Sequence, residues 1–170
     1  MINLRTSCHA LAVLGALAIA GCSSDDDNNG NGNLSCSVAL SGGLTGTYDC
    51  VTFVAAYSTA VNTTSYATSA STPAAVAIAI NCQGEAATGT YTRGTANASG
   101  GIVVTSGTSS WSVSAGTGGT GSYTLTITSV STISTTTQGK AYLIHGTLDA
   151  TIPAVSGSTI TTALTAHVTF

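Results

Sequence analysis

The chain has 170 residues, a formal net charge of −3, 43% apolar residues and only 5% charged ones. Disorder goes with low hydrophobicity and high net charge, and this composition has neither. Arg5, Arg93 and Lys140 are the whole Lys and Arg complement. They are too few to line a phosphate backbone, which excludes nucleic acid as a partner.

Residues 1–10, MINLRTSCHA, carry Arg5, and residues 11–20, LAVLGALAIA, form an unbroken apolar run. A membrane-spanning helix needs about 20 such residues. The run instead has the length of a signal-peptide core. It closes on Ile19-Ala20-Gly21-Cys22, where small side chains let the backbone enter a peptidase groove. This stretch resembles the lipobox of bacterial lipoproteins, a branched apolar residue followed by two small residues and cysteine. The resemblance implies a signal peptide over residues 1–21, cut before Cys22. It further implies diacylglycerol thioether-linked to Cys22, usually with an acyl chain such as palmitate on the new N-terminus. Covalent lipid is then the only cofactor expected, and a membrane the first partner. At ~0.8 kcal/mol per buried CH₂, several chains hold a protein far longer than one. The implied location is the outer membrane, lipid-anchored, facing either the periplasm or the cell surface. Cys8 lies within the leader and leaves with it.

Residues 22–33 follow with the lipidated cysteine and an acidic, Asn- and Gly-rich run. Asp25, Asp27, Asn29 and Gly30 spell the first half of an EF-hand loop, D-x-D-x-N-G. That loop closes with a bidentate Glu at its twelfth position and sits between helices. Here the twelfth residue is Cys36, and no helical pattern flanks the run. The segment reads instead as a hydrated tether, with a coil span near 20 Å for its ~12 residues. CSSDDD also resembles the acidic run that sends lipoproteins to the cell surface in some bacterial groups, with Ser23 in place of an acidic residue. A solvated spacer accounts for the same composition.

Residues 34–170 read as an all-β domain, because Thr and Val favour strands while Gly, Ser and Asn punctuate them. Strands are expected near 35–40, 45–56, 75–81, 87–93, 101–105, 110–115, 122–130, 140–149 and 159–169. Residues 57–72 show no assignable pattern. In YTLTIT, Tyr123, Leu125 and Ile127 alternate with Thr124, Thr126 and Thr128. The tail LTAHVTF repeats the alternation. Such period-two patterns with one polar face predict an antiparallel β-sandwich of about eight or nine strands. Residues 142–154, YLIHGTLDATIPA, resemble the closing hairpin of small β-sandwich lipoproteins of unassigned function, which brings no site with it. A terminal Phe170 on an alternating strand also resembles the last strand of outer-membrane barrels. A small barrel is therefore an alternative, although barrels need aromatic girdles and this chain has one Trp and two Phe.

Cys36, Cys50 and Cys82 remain in the domain, and an exported compartment permits one disulfide among them. Cys36 and Cys50 bracket a hairpin turning at residues 41–43, and Cys82 is an alternative partner for either. Connectivity is not fixed by the sequence. No metal site is expected; His145, His167 and Asp149, in one phase of two strands that could pair, are the weak candidates. Gly116 to Gly121, GTGGTG, matches a dinucleotide fingerprint but lacks the strand–helix context that motif requires. Thr-x-Thr runs at 88–92 and 124–128 use a pattern found on ice-binding β-faces. Such faces need many copies in a fixed repeat, and no regular period runs along this chain. Trp111 is a core residue unless it lies exposed beside Tyr91 or Tyr123, where it would stack on a sugar. The expected function is structural, adhesive or ligand-binding, with a protein or glycan ligand and no catalytic residues. The alternative is a cell-surface enzyme drawing on Asp49, Glu85, Asp149, Arg93, Lys140, His145 and His167.

Overall fold

Alternating burial along the chain produces strands and almost nothing else. The computed structural model describes residues 36–51, 53–70, 74–95, 97–113 and 121–170. The leader, Cys22 and the tether lie outside these, as do residues 114–120 with most of the glycine run. The elements are β1 (Cys36–Gly42), β2 (Gly46–Cys50), β3 (Val54–Ser58), β4 (Thr63–Ala70), β5 (Ala75–Gln83), β6 (Gly89–Thr92), β7 (Ala98–Ser106), β8 (Ser109–Val113), β9 (Ser122–Thr135), β10 (Gly139–Ile152) and β11 (Leu164–Thr169). All pair antiparallel, so the all-β antiparallel expectation holds, with eleven strands among the described residues rather than eight or nine. The segment expected as one strand over 45–56 is two, β2 and β3. The unassigned segment 57–72 contains β4. Its inward positions are Thr64, Tyr66, Thr68 and Ala70, so an apolar alternation never shows in the sequence. The buried threonines are tolerated because they donate hydrogen bonds, Thr64 to the Gly84 carbonyl at 2.7 Å and Thr68 to that of Val51.

The hub is β10. One of its edges runs along β9 from Lys140 to Thr151. Its other edge is shared, with residues 139–143 on β3 and 147–152 on β11. From β3 a long arm continues through β4, β5, β7 and β8. From β11 a short arm continues through β1 and β2, and β6 extends it beyond β9. The two arms face each other across one core, in which Tyr66, Ile80 and Val104 join Val38, Leu148 and Val168. Cys36 Sγ lies 3.7 Å from Thr68 Oγ1 across the gap, and Trp111 Nε1 donates to the Thr162 carbonyl at 2.8 Å. The far edge of β8 is not left open. Ser112 N–H donates to Pro153 and Val155 N–H to Ser110, at 3.1 and 2.8 Å. The result is a sandwich whose layers share a hairpin. On β11, Leu164, Ala166 and Val168 point inward. Full burial of a Leu or Val side chain is worth roughly 1.5–3 kcal/mol.

Two bulges bend the shared hairpin. The register steps from Ala141↔Ser134 to Tyr142↔Thr132, and from His145↔Ser129 to Gly146↔Ile127. Each step inserts one extra residue on β9, which bends that strand and increases its twist. The second reverses its phase, so that Ile127 and then Val130 turn toward the core. Gly146 sits opposite this bulge, where a Cβ would run into the Thr126 carbonyl oxygen.

Candidate functional site

Cys36 and Cys50 lie directly opposite each other in the β1–β2 register, with Cα atoms 5.0 Å apart, and form a disulfide. Of the pairings left open by the sequence, this is the one made. Cys82 remains a free thiol, 2% exposed, between Thr64 of β4 and Ala98 of β7. Burial pushes its pKa up to about 12. A thiol so held is a poor nucleophile, because only the thiolate attacks.

Tyr66, Tyr91 and Tyr123 are each raised by burial first, and a thiolate at Cys82 would add to the effect. On Tyr66, Tyr91 acts ahead of Cys82. Tyr91 donates to the Ala87 carbonyl at 3.1 Å and Tyr123 to that of Ser99 at 3.2 Å. The Tyr66 hydroxyl is fully buried and makes no hydrogen bond of good geometry, although the Tyr91 ring is only 6.2 Å away. Trp111 is completely buried. It is a core residue, and neither it nor Tyr123 offers a ring face to a sugar.

Glu85, after β5, accepts hydrogen bonds from Lys140 Nζ at 2.7 Å and from the Tyr142 hydroxyl at 3.1 Å. The Lys140 bond first, then that from Tyr142, holds the Glu85 carboxyl below the usual range, and the same contact raises Lys140. The effect is to pin the turn after β5 to the start of β10. Arg93 points its guanidinium at the Gly121 carbonyl.

On the outer surface of the short arm, Asp149 and His167 are cross-strand neighbours, and His167 Nδ1–H donates to Asp149 Oδ1 at 2.6 Å. Both side chains are exposed. His145 is on the same outer phase of β10 but does not join them. Among the described residues no three His, Cys, Asp or Glu side chains gather where a metal could be held.

The pair sits in a field of threonines. Thr90, Thr126, Thr147 and Thr169 stand directly opposite one another on β6, β9, β10 and β11. In the adjacent row, Thr92 and Thr124 lead into Asp149 and His167. On the other side of that row Thr151 faces Thr165. Sequence reasoning missed this array, because its repeat runs across strands that are far apart along the chain. The only linear trace is the pair of Thr-x-Thr runs, whose Thr90–Thr92 and Thr124–Thr126 portions prove to be hydrogen-bonded neighbours. The outer surface of the long arm differs. A row of Leu143, Val54, Ala67, Ala79 and Gly101 crosses it, small and uncharged.

Set against known protein families, curated proteins and solved structures, the chain matches none.

Proposed function

We propose that the protein is a lipid-anchored envelope lipoprotein, held by Cys22 in the outer membrane, whose β-domain has a binding or adhesive role and no catalytic one. The observation that carries this reading is Ile19-Ala20-Gly21-Cys22 at the end of a ten-residue apolar run. The acidic tether after it would keep the domain near its membrane. The ionisable side chains support the non-catalytic role. Glu85 is engaged by Lys140 and Asp149 by His167, at positions nine residues apart on β10, whereas acid–base chemistry needs such groups to converge. The outer face of the short arm supports anchoring by lipid over integration as a barrel. A barrel exposes an apolar band to lipid, while the outward positions of β11 are Thr165, His167 and Thr169. Changing Cys22 to Ala is expected to move the protein from the membrane fraction to the soluble fraction and to abolish labelling by palmitate. Retention and labelling in the variant would overturn the anchor. Protease treatment of intact cells then separates surface display from a periplasm-facing position.

A further inference from the structure

We propose that the outer face of β6, β9, β10 and β11 is an ice-binding surface, whose ligand is the ordered oxygen lattice of crystalline water. The inference deepens the binding role proposed above and does not depend on the anchor.

The register carries it. Thr90, Thr126, Thr147 and Thr169 form an unbroken rank across four neighbouring strands, and Thr92 and Thr124 begin a second rank beside it. Sheet geometry sets neighbours at ~4.8 Å across the strands and ~6.8 Å along them. Threonine suits such a lattice because branching at Cβ stiffens χ1. Each residue holds one methyl and one hydroxyl in a fixed direction, and little side-chain freedom is lost when a rigid surface docks.

The chemistry of the rows excludes other occupants. They hold no Lys or Arg to meet phosphate or an anionic headgroup. No aromatic side chain projects from them to stack on a sugar or anchor a protein partner. Two carboxylates lie in the lines of these ranks: Asp149, which accepts a hydrogen bond from His167, and Asp49, which lies beyond Ser37 at the far end of the first. Four strands at ~4.8 Å spacing and three rows at ~6.8 Å cover roughly 400 Å². That is about half of the roughly 800 Å² per partner of a standard protein interface. Cross-strand threonine pairs also stabilise sheets by themselves, and a purely structural array would have no affinity for ice.

The test is partition into slowly grown ice. The full chain in detergent micelles, with empty micelles as the blank, is exposed to an advancing ice front, and the protein content of ice and liquid is compared. The wild type is expected to be enriched in the ice, with recrystallisation of small crystals inhibited. Thr126→Tyr and Thr147→Tyr should each be excluded to the level of an ordinary solute. Ala77→Tyr, on the outer face of the long arm, should bind as the wild type does. Far-UV circular dichroism and Trp111 fluorescence verify the fold. Should a tyrosine variant unfold, Thr126→Ser and Thr147→Ser remove only the methyl groups and must show the same loss. Exclusion of the wild type from ice, or undiminished incorporation of the folded variants, overturns the proposal. Neither result bears on Cys22, whose test is read in membranes.

Discussion

Tyr66 concentrates the cost of the core in one atom. Its hydroxyl is buried and without a good hydrogen bond, and an unsatisfied polar group costs roughly 1–3 kcal/mol. Tyr66→Phe is therefore expected to raise the unfolding free energy by about 1 kcal/mol in urea titrations; a loss of stability would mean that the hydroxyl has a partner. Its neighbour Cys82 gives the fold a pH dependence whose direction is fixed. The folded thiol titrates near 12 against an ordinary value of 9.0. Below the ordinary value both states keep the proton and the full stability is present. As pH rises between the two values the unfolded chain releases a proton that the folded chain retains, and stability falls. Tyr66, Tyr91 and Tyr123, all raised by burial first, act with the same sign at higher pH. Comparing urea midpoints at about pH 8 and pH 11, Cys82→Val should show a smaller alkaline loss than the wild type; an identical loss would place the effect elsewhere. None of this environment is legible in the chain. Cys82 stands out only as a third cysteine, and Tyr66 falls inside the segment without a pattern.

At the scale of elements, the shared hairpin depends on Gly146. The β9 bulge brings the Thr126 carbonyl to where a Cβ would sit, and backbone cannot yield as a flexible side chain can. Gly146→Ala should destabilise the protein by about 2 kcal/mol or more, read as a lowered denaturation midpoint with an unchanged m-value. The strands that could be read from sequence are those whose inward residues are apolar, such as Tyr123, Leu125 and Ile127 on β9 or Leu164 and Val168 on β11. β4 could not, because it buries Thr64 and Thr68. The bulges could not either, since the extra residues, Thr128 and Ile133, are both exposed and fall where the buried alternation of β9 has ended. The disulfide was half legible. The hairpin suggested Cys36 and Cys50, but only the folded register removes Cys82 from contention. The threonine rank belongs to the same class, being a property of pairing and not of period.

At the scale of the molecule, one core serves both arms, so neither has an independent interior. Trp111 lies in that core and hydrogen-bonds to Thr162 across it. Its fluorescence and the far-UV circular dichroism should trace the same denaturation curve, as two-state unfolding requires; separated transitions would show that one arm outlives the other. Composition made the all-β class readable, but not the path of the chain, in which β1 pairs with β11 and Ser37 stands opposite Thr169. That pairing has a kinetic consequence. Strand β1 reaches its place between β2 and β11 only after residues 164–169 have emerged, and closing so long a loop slows folding relative to folds built on local contacts. The exported lipoprotein proposed above would gain from such a delay: its opening strand would stay threadable until its closing one had arrived.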